Sequence, residues 1–317
     1  MLLAIAAVLI GCEKEIEVDI PPADIKIVVE GSIEPGQPPL VILTRSQSYF
    51  EPTDLSALED MYVNGAQVTV STGDVSVDLT EICTSDLPPE LIPIVTEMTG
   101  FTAEQLAQFN ICVYSTFNPA IFGEENKEYR LDISHGDTDL YAVTKIPTIL
   151  PLDSVWFELA GTNDSLGFAH GFLTDPDTTG NAYRWYTKRI NHYPEWSQHA
   201  GEQKDGQFMA PFQSVNDDAF FNGLQFEFLY SRPVSANSSK EDDNNDERGY
   251  FKLGDTIAVR ACTIDHGVFR FFYSMESQIG NQGSPFAVPF ELETNIQGGG
   301  LGIWAGYGVH NDTIICE

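Results

Sequence analysis

Four of the five cysteines, Cys83, Cys112, Cys262 and Cys316, present the first chemistry to weigh. No two of them stand in a CxxC spacing, which argues against a structural zinc site. An even set of thiols in an exported chain points instead to disulfides, and four cysteines allow three pairings. Sequence order favours Cys83–Cys112 and Cys262–Cys316, one bridge in each half; the other reading is four reduced, buried thiols. The six histidines (His135, His170, His192, His199, His266 and His310) are scattered, and no pair sits at a three- or four-residue helical step. The run Glu241 to Glu247 alternates Asp242, Asn244 and Asp246 as calcium loops do. That loop would need glycine at 247 and a bidentate acid at 253, where the chain has Glu247 and Leu253, so the run reads as a solvated acidic loop. HExxH, GxSxG and GxxxxGK[ST] patterns are absent. Gly298-Gly299-Gly300 with Gly302, Gly306 and Gly308 lacks the spacing and the following helix of a phosphate cradle, and reads as turns and close backbone packing. No catalytic residue, metal ligand or cofactor is expected.

The fifth cysteine carries a different chemistry. Met1 to Ile10 is an uncharged apolar run, followed by Gly11 and Cys12. Ten residues are too few to span a bilayer, which takes about twenty as a helix. They suit the apolar part of an export signal, about 7–15 residues ending at small residues. Leu9-Ile10-Gly11-Cys12 resembles the lipobox of bacterial lipoproteins, in which the signal is removed and the cysteine is acylated. Glu13 to Asp19 then places five charges in seven residues, against a buried strand. Signals of this kind begin with Lys or Arg and none precedes Cys12, so the expectation includes a few basic residues upstream of Met1. Residues 1–11 are read as the signal and 12–24, which contain Pro21-Pro22, as a lipidated tether.

The net charge of −31 comes from 47 acidic against 16 basic residues. Such a surface repels phosphate backbones, so nucleic acid is excluded as a partner. Aromatics make up 11% of the chain, enough to build a core.

The elements that would position these residues are short β-type runs broken by turn residues. Ile25–Glu30, Pro39–Thr44, Ala66–Val70, Val75–Leu79, Ile111–Phe117, Tyr129–Ser134 and Leu140–Thr144 read as strands, with Asn64-Gly65, Gly73-Asp74 and Gly136-Asp137 as punctuation. Residues 25–148 are therefore expected to form a β-sandwich resembling an immunoglobulin or fibronectin domain, with a helical insertion over 84–111. In that insertion Thr102 with Gln105 reads as a capping box, and Phe101 with Leu106 as the staple beside it. Ile146-Pro147 through Leu150-Pro151 marks a boundary. Residues 149–317 form a second, sandwich-like β domain with strands Ser154–Ala160, Phe168–Thr174, Ala182–Ile190, Gly223–Leu229 and Thr256–Ile264. Its one strong amphipathic helix is His266–Ile279, where Val268, Phe271, Phe272, Met275 and Ile279 recur at three- and four-residue steps and Gly280 follows. That stripe reads as core. The aromatic segment Asn191 to Asn222, with Tyr193, Trp196, Phe208, Met209, Phe212, Phe220 and Phe221, reads as a plug on the sandwich end or as a recognition surface.

The order of lipobox, acidic tether, Ile27-Val28-Val29-Glu30-Gly31, Asn64-Gly65-Ala66-Gln67-Val68, Glu128-Tyr129-Arg130-Leu131, Pro285-Phe286, Pro289 and Asn295 to Gly302 resembles the Bacteroidota lipoproteins classed as domain of unknown function 4249. The insertion between Cys83 and Cys112 is longer than that resemblance leads one to expect. It supplies no catalytic residues. It implies a gene context beside TonB-dependent outer-membrane receptors, and Glu13-Lys14-Glu15 resembles the acidic tags that route such lipoproteins to the cell surface. The expected function is a non-enzymatic, lipid-anchored outer-membrane protein that partners such a receptor in nutrient capture. A structural or adhesive envelope protein is one alternative, and a hydrolase with a site invisible in sequence is another.

Overall fold

In a computed structural model, described for residues 24–47, 61–89, 92–93, 96, 103–108, 111–193, 201–205, 207–233, 249–280 and 292–317, half-buried alternating segments build an all-β fold. Strand β1 (Ile27–Ile33) pairs antiparallel with β2 (Leu40–Arg45). Beyond β2 come β6 (Cys112–Ser115) and β5 (Thr80–Cys83). Facing them is a four-stranded sheet in the order β4 (Val75–Asp78), β3 (Gln67–Thr72), β7 (Glu128–His135) and β8 (Thr138–Lys145). Lettered along the chain, the two sheets run A-B-E-D and C′-C-F-G, the immunoglobulin arrangement. Tyr129 supplies the corner that often marks this fold: near the start of β7, its buried hydroxyl donates to the Phe122 carbonyl (3.0 Å) and accepts from Glu124 N–H (2.8 Å). Val68, Val70, Leu131 and Ile133 meet Val29, Ile33, Val41 and Leu43 in the core between the sheets.

The second half uses three long strands, β11 (Ala182–Tyr193), β16 (Thr256–Ile264) and β17 (Leu301–Ile315), with β12 (Gly201–Lys204) and β13 (Val215–Asp217) beside β11. A second four-stranded sheet, of β9 (Ser154–Leu159), β10 (Leu166–Thr174), β14 (Gln225–Tyr230) and β15 (Phe251–Lys252), covers one face of them. Tyr183, Trp185, Phe228, Tyr230, Ile257 and Val259 fill the gap. Two helices are described: short α1 (Ala103–Gln108) in the insertion and α2 (His266–Gly280), whose Val268 and Phe272 pack on the opposite face of β16 and β17. Of the expected stripe, Val268 and Phe272 are core, Phe271 and Met275 are half-buried, and Ile279 is exposed. Much of the expected helical insertion, including the Thr102 and Phe101 positions of its capping pattern, lies outside the described residues.

The expected boundary at 148/149 falls between the cores of the two sandwiches, but Ile296 and Trp304 join the first core and β17 belongs to both halves of one sheet. Its first six residues pair in parallel with β1, and its last nine pair antiparallel with β16. The nine-stranded sheet that results runs through both halves. Trp304 of β17 is fully buried in the first core, and its indole N–H donates to the Tyr129 carbonyl at 3.0 Å. That ring lies across Gly31 of β1, where a Cβ would come within 2.6 Å of it.

One expected bridge forms and one does not. Cys83 and Cys112 are disulfide-bonded with Cα atoms 4.0 Å apart at the mouth of the insertion. Cys262 and Cys316 are free, buried thiols. The β16–β17 register sets Cys262 beside Val309, seven residues from Cys316, or roughly 20 Å along an extended strand. The two thiols also lie in different cores, on opposite faces of the sheet.

Gly302 joins β17 to β1 at φ +95°, and a Cβ there would collide with the Val29 carbonyl. Left-handed backbone costs a non-glycine residue about 1–3 kcal/mol, and the collision adds to it. Gly302→Ala should therefore destabilise the fold more than Gly299→Ala, which shares a positive φ (+89°) but points into open space. Urea unfolding of the two variants measures the difference; equal midpoints would contradict the shared-strand geometry.

Candidate functional site

Strand alternation sends Val29, Gly31 and Ile33 of β1 toward the first core, and so turns Val28, Glu30 and Ser32 to the other face of the sheet. Ile42 and Thr44 of β2, Ile303 and Tyr307 of β17, and Arg260 and Cys262 of β16 share that face. Helix α2 rises along it as a wall of Phe271, Phe272 and Met275. Between wall and strands lies an open groove of about 670 Å³, with Tyr62 at one end and Phe208 at the other. The volume is that of a small-molecule site.

The helix is aimed by its cap. Asp265 Oδ1 accepts from Val268 N–H (2.9 Å), and its Oδ2 accepts from the Thr144 hydroxyl (2.7 Å) and Lys145 N–H (3.1 Å) of β8. Thr144 Oγ1 in turn accepts from Gly306 N–H of β17 (2.8 Å). Helix start, second sheet and shared strand are fixed at one point beside the groove.

Positive charge is gathered beneath and at one end of the groove. Arg184, Tyr186 and Lys188 alternate along β11, and the register sets Arg260 against Tyr186. The Arg184 guanidinium is 6% exposed and stacks 3.2 Å from the Phe272 ring centroid. Its Nε and Nη1 have no hydrogen-bond partner, so the aromatic faces of Phe272 and Tyr186 carry its charge. Lys188 and Arg260 lie over the Phe208 ring at 5.8 and 5.1 Å, and Arg260 is ion-paired with Glu34. Burial pushes the Cys262 thiol up to about 12 and raises the hydroxyls of Tyr186 and Tyr307. Glu30 retains solvent contact, yet the surrounding protein desolvates its carboxyl and raises its pKa.

The residues singled out by sequence do not converge here. Cys12 and the acidic run 241–247 lie outside the described residues, as do His199 and Trp196. His170 stacks on Trp156 (5.4 Å) and bonds Glu227 (2.9 Å) on the outer face of the second sandwich. His266 opens α2 and stands edge-on to Phe269. His135 and His310 sit on β7 and β17, and His192 on β11. Among the described residues the one metal-like grouping is Glu81, Cys83 and Cys112, whose cysteines are spent in the disulfide. The aromatic segment divides: Phe221 plugs the second core, Phe208 closes the groove, and Phe220 and Phe212 project into solvent at 95% and 56% exposure. The glycine run serves close packing, as expected: at Gly306 a Cβ would meet the Lys145 carbonyl.

Glu30 and the α2 wall were not singled out as a site. The available signal was that Ile27-Val28-Val29 and Leu40-Val41-Ile42-Leu43 are apolar on both faces, more than one sandwich core requires.

A family model described as domain of unknown function (DUF4249) matches residues 13–313, nearly the whole chain, and the chain belongs to that family. No curated protein matches it.

The state of the thiols is directly measurable. Both Cys262 and Cys316 are held neutral up to about pH 12 in the folded chain, against 9.0 when exposed. The folded state thus keeps protons that the unfolded state releases, and stability is complete below pH 9 and declines as pH rises from 9 to 12. A Cys12→Ser chain should titrate two thiols with Ellman's reagent when unfolded without reductant and none rapidly when native. Zero thiols on unfolding would restore the Cys262–Cys316 bridge.

Proposed function

We propose that this chain is a non-enzymatic lipoprotein of the outer membrane, acylated on Cys12 and exposed at the cell surface, which binds cargo beside a TonB-dependent receptor. The observation that carries this reading is Leu9-Ile10-Gly11-Cys12 directly before the acidic Glu13-Lys14-Glu15, with the family match starting at residue 13. No helix among the described residues is long and apolar enough to cross a membrane, and the lipobox cysteine offers a lipid as the means of attachment. A single acyl chain holds weakly, whereas the diacylglycerol and amide-linked chains of a processed lipoprotein cysteine hold firmly.

Mechanism follows from tethering. Fourteen residues, Glu13 to Lys26, separate the lipidated cysteine from β1, a span of at most about 50 Å. Confinement within that radius raises the local concentration against a neighbouring barrel to about millimolar, so contacts of modest strength suffice. The groove on the central sheet gives such a protein a concave, largely apolar surface with a few placed charges, the usual make-up of a binding site.

In a host that processes lipoproteins, the wild-type chain should enter the detergent phase and carry a mass increment of acyl chains on Cys12, and it should copurify with an outer-membrane barrel. Cys12→Ser should remain aqueous and lose that copurification. A Cys12→Ser chain that still partitions with membranes, or a wild-type chain recovered as a lone monomer in mild detergent, would overturn the reading.

A further inference from the structure

We propose that the groove between β1, β2 and α2 takes an apolar ligand bearing a single cationic amine, with Glu30 as the carboxylate that receives the ammonium group. This deepens the reading of the chain as a cargo-binding lipoprotein and rests on it for the groove's access to cargo. Glu30 occupies the middle of the groove floor, directly between Ile42 of β2 and Ile303 of β17. Among the described residues its carboxylate makes no hydrogen bond and no ion pair, although it remains accessible to solvent. A carboxylate that no protein group has paired, set in a largely apolar surface, gains more from a counter-charge than one in open solvent.

The other charges of the groove are already committed, which decides the sign of the ligand. Arg260, whose side chain is 24% exposed, is ion-paired to Glu34. Arg184 and Lys188 are 6% and 5% exposed and lie against aromatic faces. An anion at Arg260 would have to displace Glu34, whereas an ammonium group at Glu30 displaces nothing. Glu34 stands four residues from Glu30, just past the end of β1 and roughly 13 Å along extended backbone, and its carboxylate is taken up by Arg260. Burial, and after it the nearby Glu30 charge, raise the Tyr62 hydroxyl pKa, and Tyr62 offers a ring to the same ammonium. Beyond the carboxylate, Phe271, Phe272 and Met275 supply the apolar wall for the ligand body. The net charge of −31 concentrates cations around the protein before they reach the groove.

The test uses three water-soluble probes of nearly equal shape, 2-phenylethylammonium, 2-phenylethanol and 3-phenylpropionate, titrated calorimetrically into the full chain carrying Cys12→Ser. The ammonium probe should bind at least about tenfold more tightly than the alcohol, as a charge-assisted contact in an apolar surrounding does, and the carboxylate should bind more weakly than both. Glu30→Gln should bring ammonium and alcohol to equal affinity, and Glu30→Lys should favour the carboxylate. Circular dichroism and melting temperature confirm that each variant is folded, and Ile42→Trp, which fills the floor beside Glu30, should weaken all three probes. Equal binding of the three probes, tighter binding of the carboxylate to the wild-type chain, or no binding of any probe would overturn the proposal. Binding without barrel copurification would strike the receptor reading alone; intact anchoring and copurification without amine binding would strike this inference alone.

Discussion

One strand carries the architecture. β17 must lie in two sandwiches at once, parallel to β1 over its first six residues and antiparallel to β16 over its last nine. Neither half can close its sheet without it. The Trp304 ring fixes the first part by filling the core across Gly31, with Asn295 clamping the Trp304 backbone on both sides: N–H to Oδ1 at 3.0 Å and Nδ2 to C=O at 2.7 Å. Where β17 leaves that core, residues 145–147 pass directly over Gly306 and Gly308. Any side chain there would push the two sandwiches apart. The groove is a consequence: β1 and β16 lie on opposite edges of β17 and scarcely overlap along it, and α2 covers only part of the face they share.

The first sandwich was legible because its signals are local. Alternation of Val68 and Val70, two-residue turns at Gly73-Asp74 and Gly136-Asp137, and Tyr129 at the start of β7 each act within a few residues of themselves. The helix was legible for the same reason, since a stripe at three- and four-residue steps is written in fifteen consecutive positions. β17 was harder to see. Glycines that mark turns elsewhere serve here to let backbones touch, and only the distant partners, Val29 and Lys145, distinguish the two uses. The Cys262–Cys316 pairing failed on similar grounds. Chain order says that two cysteines share a half, while register and strand face, which decide whether sulfurs can meet, are properties of pairing.

The groove was half legible. Apolar residues on both faces of β1 and β2 announce a second buried or ligand-facing side, and Glu30 interrupts it. Arg184, Tyr186 and Lys188 also alternate within five residues of sequence. What the sequence does not carry is that β16 would lie beside them and set Arg260 and Cys262 in the same row, or that Glu34, 226 residues from Arg260, would close that charge. The committed and the uncommitted charges become distinguishable only when both ends of the chain are in place.

The distribution of the few cations sharpens the electrostatics of the whole. Of 16 basic residues, Arg184, Lys188, Arg189 and Arg232 are buried. Arg189 lies 4.0 Å from both Asp205 and Asp255, and Arg232 lies 3.5 Å from Asp205. Asp255 also accepts from Asn191 Nδ2 at 2.7 Å and from Lys252 N–H at 2.9 Å. Such clusters are fragile to the loss of one member, which leaves a buried charge uncompensated. Asp175, Asp205, Asp218 and Asp255 are buried as well, so among the described residues the buried charges balance and the net acidity stays on the exterior. Screening confines that field to about 8 Å at physiological salt. An exterior of this kind repels anionic headgroups, and the groove opens onto the same solvent.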